Sequence, residues 1–438
     1  MTQLTADDVV SALTVCCGEE PENPAEAVAL VRQSQPSFAA TLYSAWQAEG
    51  VDLDPGLTYE LDLARGRVEF YRKVAAGLAG QAPTLVPLKG LEVAAQYPDG
   101  IVRAMNDLDF VAPTEEDMWH AVQLLLADGW DLHTATFIRL WRKIHVMVSL
   151  RRPHVSPYAL PYGIEVASYV ALGDLNGVRP VDRLPAEWAA PPVKNALMLI
   201  YERFEQRYRA RDLVDATLML GAATPAERTT LAAAIERLGL QPEYAELAEL
   251  VAGTSLPPLA VPVAARARPV IRARRLARGV GFLHRPVYGA ARHLQRRSVS
   301  GKISRSQLRT WSGIQKRMPV GAALRGGLLA FGLPLEGVPG RGTVSVLVER
   351  GDLAWIDTPV GRFLLTIGDD VTEAAVEEAS RPAPAAPATV PQSAAPPAVV
   401  PPGSPKSAPP KSPAPESAPA PAETAAADAA KPVGLSSG

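Results

Sequence analysis

The sequence predicts a mixed α/β protein, and three observations support this fold class. In the middle of the chain, short segments with the alternating apolar pattern of strands are followed by segments with apolar residues at helical spacing. The chain has 438 residues, 47% hydrophobic and 21% charged, which is typical of a protein with a sizeable core. Residues 381–438 differ: they hold 16 of the 42 prolines and no aromatic residue, so we expect a disordered Ala/Pro-rich tail.

The first half of the chain divides into a helical region and the start of an α/β core. Residues 1–80 are predicted to be an N-terminal helical region, because apolar residues recur there at helical spacing with charges between them. The predicted core covers 81–190. It opens with an apolar strand at 84–88 that ends at Lys89-Gly90, and a helix over 91–96 follows.

The rest of the core continues the alternation of strands and helices. Residues 106–112 alternate as a strand does, and Thr114 with three acidic residues after it predicts the start of a helix that runs to about residue 127. Two further strands are predicted at 143–150 and 162–170. The order β–α–β–α–β–β indicates a small mixed α/β domain.

Beyond the core, the pattern predicts three more parts before the tail. They are a helical domain at 191–256, a basic segment at 257–335 and a small β unit at 336–380. Within these parts we predict three helices, at 193–220, 225–238 and 242–251, and three strands, at 343–349, 353–357 and 362–367.

Charge is unevenly distributed along the chain. The overall net charge is −2. Residues 1–263 carry a net charge of −13, whereas residues 264–335 contain 16 basic and no acidic residues. Arginines alternate with apolar residues at helical spacing in the basic segment, which predicts basic amphipathic helices. We expect residues 266–325 to contact an anionic surface, either the acidic part of the same chain or a membrane. Nucleic acid fits less well, because aromatic residues for stacking are few.

Cysteine content and the N-terminus favour a cytoplasmic location. Cys16 and Cys17 are the only cysteines, which is too few for a disulfide framework or a thiolate zinc site. Asp7 and Asp8 stand where a secretory signal would be basic, and no uninterrupted apolar run reaches the length of a membrane span.

The candidate site centres on the segment Asp107-Leu108-Asp109-Phe110. Residues two apart on a strand point to the same face, so Asp107 and Asp109 project together while Leu108 and Phe110 face a core. Two adjacent carboxylates repel, and a divalent cation such as Mg²⁺ keeps both ionised. Glu165, on another predicted strand, is a candidate third ligand, and three such carboxylates suit two-metal phosphoryl transfer. The alternative is that the pair are ordinary solvated strand residues.

Taken together, several motifs resemble the uncharacterised nucleotidyltransferase family of the DNA polymerase β superfamily. They are a strand ending in Lys89-Gly90, Arg103, the Asp107-Leu108-Asp109 strand, a helix closing on Asp128-Gly129-Trp130, a later acidic strand, and the helix Ala210-Arg211-Asp212-Leu213-Val214-Asp215. The resemblance covers roughly residues 81–220. The turn of this chain is Lys-Gly, whereas the superfamily usually has Gly-Ser or Gly-Gly. Lys-Gly is the form that this branch of the superfamily favours.

The resemblance implies a fold, a reaction and roles for individual residues. It implies a small polymerase β-like core that transfers a nucleoside monophosphate from an NTP to a hydroxyl acceptor with Mg²⁺, at a site that holds two metal ions. Asp107, Asp109 and Glu165 would hold the metals, and Glu165 would help to deprotonate the acceptor.

The same resemblance implies a phosphate-binding role for Lys89, Gly90 and Arg103. The alternatives are a solvated helix start for Lys89 and a surface salt bridge for Arg103. The acceptor may be a small molecule, a protein or an RNA. For the whole chain, the alternative function is an inactive binding or antitoxin-like module with the same fold.

Two further groups of polar residues invite a functional interpretation, and we favour a structural one for both. His145 lies on a predicted strand between Ile144 and Val146, and we expect a hydrogen-bonded structural histidine. Arg211, Asp212 and Asp215 are expected to form a buried ion-pair network that braces the helical domain rather than to take part in catalysis.

Overall fold

The computed structural model describes residues 4–140, 143–156, 159–173, 180–204, 206–261, 319–325, 327–367 and 371–381. Most of the predicted basic segment, including the contact expected at 266–325, lies outside these residues, as does the tail beyond Arg381. Within the described ranges, no helix combines the length and the apolar character needed to cross a membrane.

Four helices form the N-terminal region, as predicted. They are α1 (Ala6–Cys17), α2 (Pro24–Ser34), α3 (Ala39–Ala48) and α4 (Pro55–Gln81). The longest, α4, begins where the Asp54 carboxylate accepts hydrogen bonds from the backbone N–H groups of Gly56 and Leu57, at 2.7 and 3.0 Å. Such N-caps satisfy amides that have no partner inside the helix.

A single nine-stranded mixed sheet organises the rest of the chain, and it confirms the predicted mixed α/β class. Its strands are β1 (Val86–Leu88), β2 (Asp107–Val111), β3 (Asp131–Leu140), β4 (Lys143–Arg152), β5 (Tyr162–Ala167), β6 (Ala330–Pro334), β7 (Val346–Arg350), β8 (Leu353–Thr358) and β9 (Gly361–Thr366). They lie in the order β1-β2-β5-β4-β3-β6-β9-β8-β7. Two more helices lie between the early strands, α5 (Gly90–Ala94) and α6 (Glu115–Ala127).

Strand β3 and its pairing with β6 were not predicted. The polar stretch at the start of β3, Asp131 to Thr134, hides the strand pattern, yet β3 pairs along its length with β4. On its other side β3 pairs with β6, at Thr136 opposite Phe331. The three predicted C-terminal strands are present as β7, β8 and β9. They continue the core sheet through β6, which falls inside the predicted basic segment.

The helical domain contains four helices rather than three. They are α7 (Pro191–Glu202), α8 (Ala210–Ala222), α9 (Pro225–Leu238) and α10 (Gln241–Ala252). The prediction of one helix over 193–220 was therefore wrong. The chain breaks after Glu202 and restarts where the Asp212 carboxylate accepts a hydrogen bond from the Arg209 N–H at 2.8 Å, a new N-terminal cap. Two short helices follow near the C-terminus, α11 (Val320–Arg325) and α12 (Glu373–Ser380).

The core has two main parts, and the candidate site lies between them. One part packs α1 to α3 against α7 to α10, and Leu88 and Val93 belong to it. The other packs α4 and α6 on the sheet and includes Met105, Leu108 and Phe110. The segment from β1 through α5 to β2 therefore has one side in each part, so packing on both sides holds it in place.

Gly332 of β6 is tightly packed between β3 and β9. A Cβ atom there would lie 2.6 Å from the Phe137 ring and 3.0 Å from the Phe363 Cβ. Gly332→Val should therefore destabilise the fold by about 1–3 kcal/mol through overpacking, measured as the free energy of unfolding in urea. The conservative change Leu333→Val, at an exposed position on the same strand, should change that free energy by less than about 0.5 kcal/mol. Equal effects of both variants would contradict this account.

Candidate active site

The two aspartates of β2 lie on one face of the strand, as the alternation predicts. Asp107 is exposed and Asp109 is half-buried, whereas Leu108 and Phe110 on the opposite face are buried in the sheet core. The strand therefore presents two carboxylates on one side, with its apolar residues anchored on the other.

Glu165 lies on the neighbouring strand beside Asp109. Strands β2 and β5 are parallel, with Asp109 in register with Glu165 and Asp107 in register with Gly163. Residues in register on adjacent strands share a face of the sheet, so all three carboxylates belong to one face. Glu165 is nevertheless not among the residues that line the cleft around Asp107 and Asp109. The register thus brings Glu165 next to the aspartate pair without placing it in that cleft.

Tyr71 of α4 fixes the start of both acidic strands. Its hydroxyl donates to the backbone carbonyl of Asn106 at 2.5 Å and accepts from the N–H of Gly163 at 2.9 Å. The Tyr71 side chain is fully buried. This one hydroxyl binds both Asn106, which precedes Asp107, and Gly163, which lies opposite Asp107. It therefore sets the position of β2 relative to β5.

The Lys89-Gly90 turn has an unusual backbone. Lys89 has φ +52°, and it is alone in this among the non-glycine residues that the structure describes. Gly90 has φ +41°. A bulky residue in the left-handed region costs about 1–3 kcal/mol and persists only when its surroundings hold it there.

Helix α7 holds this turn through both the backbone and the side chain of Lys89. The backbone N–H of Lys89 donates to the Asn195 Oδ1 at 2.6 Å, and the ammonium of Lys89 forms an ion pair with Glu202. Asn195 in turn donates to Glu92 at 2.8 Å, and Lys194 pairs with the same carboxylate at 2.8 Å. Lys89 is therefore neither a solvated helix start nor a loose side chain.

Arg103 lines the same cleft but is engaged by an acidic residue of α8. Its guanidinium donates to both oxygens of Asp215, at 2.9 and 2.7 Å, and the Tyr97 hydroxyl donates to Asp215 at 2.7 Å. Arg103 and Asp215 are both buried. The sequence analysis assigns Arg103 to phosphate binding, or else to a surface salt bridge. The structure instead shows a buried ion pair, and its partner Asp215 was expected to pair with Arg211.

Arg211 enters the cleft with an unused donor. Its Nε is buried, and it has no hydrogen-bond partner among the residues that the structure describes. A buried donor without a partner is costly, which favours a partner supplied by a ligand. The expected network of Arg211, Asp212 and Asp215 is therefore wrong in its partners: Asp212 caps α8, Asp215 binds Arg103, and Arg211 faces the cleft.

The cleft itself is narrow and strongly charged. Its cavity volume is about 40 Å³. The charged and amide side chains that line it are Lys89, Arg103, Asn106, Asp107, Asp109, Asn195, Glu202, Arg211, Asp212 and Asp215. A space of this size holds an ion or part of a phosphate chain, since ligand pockets are usually about 300–1,000 Å³.

Burial and neighbouring charges shift the titration of three acids in the cleft. Burial raises the pKa of Asp109 well above its usual range, and the Asp107 carboxylate raises it further. Burial and the carboxylate of Glu202 raise the pKa of Asp212 to about 7. Burial opposes ionisation of Glu202 too, but the ion pair with Lys89 and the charges of Arg211 and Arg103 together outweigh it, and the pKa of Glu202 is lowered. The site thus combines an ionised Glu202 with carboxyls that resist ionisation, an arrangement that a cation would stabilise.

The carboxylates fit Mg²⁺ if substrate supplies the remaining oxygens. Within the described ranges, no three His, Cys, Asp or Glu side chains are grouped closely enough to form a complete metal site. Mg²⁺ usually takes only one or two carboxylates, with waters and substrate phosphates as its other ligands. Asp107 and Asp109 provide such a pair on one face of β2.

Comparison with other proteins adds no family assignment. Neither the models of protein families nor the curated proteins include a match to this chain. The resemblance to the nucleotidyltransferases therefore depends on the motifs, and the argument for function depends on the geometry of this site.

Two residues of the site, Asn195 and Glu202, were missed from the sequence, whereas Arg211 was singled out but assigned to a structural network. Asn195 and Glu202 are seven residues apart on α7, whose other residues are mostly apolar, and residues at that spacing share a helix face. This pattern was a usable signal, because a polar stripe on an apolar helix indicates a buried polar contact. No comparable signal distinguishes the unpaired Arg211 from the paired Arg103.

His145 is a structural residue, as expected. It is buried, its Nδ1 lies 3.1 Å from the carbonyl oxygen of Ser168, and burial lowers its pKa. It does not line the carboxylate cleft.

The buried ion pair predicts a large and specific loss of stability. Arg103→Met leaves the Asp215 charge buried without its counterion, so the free energy of unfolding should fall by about 3–5 kcal/mol. Adding Asp215→Asn removes that charge and should restore much of the loss. Arg152→Met breaks a pair with Asp128 that is largely exposed, and it should cost at most about 1 kcal/mol. Urea unfolding of the native protein and these three variants measures the values, and a double variant no more stable than Arg103→Met would contradict the interpretation.

The raised pKa of Asp109 predicts a pH-dependent effect of its replacement. The folded protein binds this proton more tightly than the unfolded chain does, so the native carboxyl favours folding at low pH and loses that contribution as pH rises through its raised pKa. Asp109→Asn carries no charge at any pH and should therefore gain stability relative to the native protein as pH rises. Urea unfolding at about pH 5 and about pH 9 measures the gain. The exposed Asp131→Asn serves as the control and should show no such trend.

Proposed function

We propose that the chain is a metal-dependent nucleotidyltransferase that moves a nucleoside monophosphate from an NTP to a hydroxyl acceptor. The observation that carries this proposal is the juxtaposition of Asp107 and Asp109 with the cations Lys89 and Arg211 in one cleft. Carboxylates on one side suit a metal ion, and cations on the other suit phosphate oxygens. The resemblance to the polymerase β-like superfamily supports the same reaction.

In the proposed reaction, an acceptor hydroxyl oxygen attacks the α-phosphorus of the NTP. The bond from that phosphorus to the oxygen bridging to the β-phosphate breaks, and pyrophosphate leaves with the bond's electron pair. Asp107 and Asp109 would hold Mg²⁺, which when bound neutralises phosphate charge and lowers the pKa of the acceptor hydroxyl. Glu165, on the same sheet face, would help to accept the hydroxyl proton.

Lys89 and Arg211 would bind the phosphates. Arg211 offers a buried Nε–H that has no partner within the described part of the chain. Lys89 would exchange its ion pair with Glu202 for a contact with a phosphate, which has the higher charge. Arg103 is a positioning residue in this proposal, since its charge is already neutralised by Asp215. Gly90 continues the turn that sets the backbone beside the phosphates.

A cytoplasmic location and an anionic partner belong to the same proposal. Both cysteines are free thiols, in keeping with a reducing compartment where NTPs and Mg²⁺ are plentiful. The basic stretch 266–325 would contact an anionic surface, either the acidic part of this chain or a membrane.

A second candidate function has one observation in its favour. The cleft is narrow, and Lys89 is paired with Glu202, as expected in a catalytically inactive binding or antitoxin-like module with this fold. Such a module would keep the fold without turning over a nucleotide. The activity of the aspartate variants separates the two candidates.

Removing either aspartate should abolish transfer. Asp107→Asn and Asp109→Asn each remove a metal ligand, so we expect transfer to fall by more than about 100-fold, since even the partners of metal ligands account for 10–100-fold effects. The measurement uses an NTP labelled at the α-phosphate, Mg²⁺ and cell extract as the source of acceptors, with pyrophosphate release as a second readout.

The matched control for this experiment is Asp131→Asn, a change at an exposed aspartate outside the cleft. It should transfer label at the rate of the native protein. Transfer that persists in both site variants would rule out the metal mechanism. No transfer by the native chain with any of the four common NTPs would favour the binding module.

A further inference from the structure

We propose that the nucleoside part of the NTP binds in a second cavity that adjoins the carboxylate cleft. This inference rests on the proposed function and gives it a substrate pocket. The cavity has a volume of about 360 Å³ and lies between α2, α3, α4 and the residues His154, Ala159 and Leu160. It is thus formed largely by the N-terminal helices.

The two cavities share a wall. Met105 and Asn106 line both of them, and Asn106 directly precedes Asp107. Of the other cavities, one of about 250 Å³ near Leu4 and Leu256 has no lining residue in common with the cleft. A ligand with its phosphates at Asp107 and Asp109 would reach the second cavity by passing over the exposed Asn106, which borders both.

The sizes of the cavities match the two parts of a nucleotide. The cleft, at about 40 Å³, has no room for a base and ribose. The second cavity falls within the range of about 300–1,000 Å³ that small-molecule sites occupy. The phosphates therefore belong in the cleft and the nucleoside belongs in the second cavity.

Planar side chains form one wall of the second cavity. Arg67 stacks on the ring of Tyr162, with its guanidinium carbon 5.0 Å from the ring centroid, and His154 packs on the same ring at a centroid distance of 5.0 Å. Arg67 is held there by hydrogen bonds to the carbonyl oxygens of Leu160 and Pro161. These contacts hold Arg67 in place, and its planar guanidinium and the His154 ring, which both line the cavity, suit contact with an aromatic base.

Charge also favours a nucleotide in this position. Arg209 lines the second cavity, and it forms no ion pair with an acidic residue in the ranges that the structure describes. Glu60 lines it too, but its charge is balanced by an ion pair with Arg32. Arg209 thus adds positive charge to the second cavity, as Lys89 and Arg211 do to the cleft.

The open side of the cleft remains for the acceptor. Asp107 and Asn106 are exposed, whereas Asp109 is half-buried. An acceptor hydroxyl can approach from solvent at Asp107 while the nucleoside fills the adjoining cavity. This arrangement places a large acceptor outside the second cavity, so the pocket selects the nucleotide.

The test compares an NTP with its phosphate chain alone. The probes are the α,β-methylene analogues of ATP, GTP, CTP and UTP, which cannot transfer, and inorganic tripolyphosphate, each with Mg²⁺ in calorimetric titrations of the full chain. For the native protein, at least one analogue should bind about tenfold or more tightly than tripolyphosphate, equivalent to about 1.4 kcal/mol. Ala64→Phe fills the cavity from α4 and should reduce the analogue to the affinity of tripolyphosphate, whose own binding stays unchanged.

The controls separate a blocked pocket from a damaged fold. Ala76→Phe makes the same change at an exposed position of α4 outside the cavity and should leave both affinities unchanged. Ser37→Trp fills the cavity from another wall, and it should act as Ala64→Phe does even if that variant does not fold. Arg209→Gln should weaken the analogue more than Arg207→Gln, at an exposed arginine nearby.

Three results would overturn the nucleoside pocket. Full analogue affinity in Ala64→Phe and Ser37→Trp would overturn it and leave the proposed function intact. If Ala64→Phe and Ser37→Trp keep their affinity for the analogue but lose transfer, the cavity holds the acceptor instead. If neither the analogues nor tripolyphosphate binds the native protein, the proposed function fails, and the pocket fails with it.

Discussion

Helix α7 holds the Lys89 turn, and the geometry of the site depends on that contact. The Asn195 side chain fixes the Lys89 backbone, and Glu202 fixes its ammonium. The left-handed conformation of Lys89 would cost about 1–3 kcal/mol by itself, so it persists only because the helix is there. Since the turn links β1 to α5 and both pack beside β2, a shift of α7 would move the cations relative to Asp107 and Asp109. The helical half of the protein is in this sense part of the site.

The cleft gathers acids from both halves of the protein, and most of its cations are already used to balance them. Glu202 has Lys89, and Asp215 has Arg103. Asp109 has the Asp107 carboxylate beside it, which raises its pKa further above the range that burial sets. Two groups remain unbalanced. The β2 aspartates repel each other, and the Arg211 Nε has no hydrogen-bond partner in the described part of the chain. Mg²⁺ together with a phosphate chain would correct both at once.

Much of the fold was predictable because its signals are local. Periodicity and caps predicted α6, β2 and β9, and alternation put both aspartates on one face of β2. What failed depended on distant contacts: β3 begins with a polar stretch and is specified by its pairing with β4, and the break after Glu202 is specified by a cap at Asp212. In the candidate site, Asp107 and Asp109 followed from one strand, whereas the partners of Arg103 and Lys89 lie more than a hundred residues away in the chain.

The pairing of β3 with β6 has a consequence for how the chain reaches its final state. Phe137 lies opposite Ala330, so the middle of the sheet is joined by residues that are far apart in the sequence. Contacts of this kind form late, because a long loop must close before they are made. Until β6 arrives, β3 is an unpaired sheet edge with buried-type residues such as Ala135 and Phe137 next to it. During synthesis, the acidic strands β2 and β5 can therefore pair before β6 covers the edge of β3, and that edge is open to other chains in the interval.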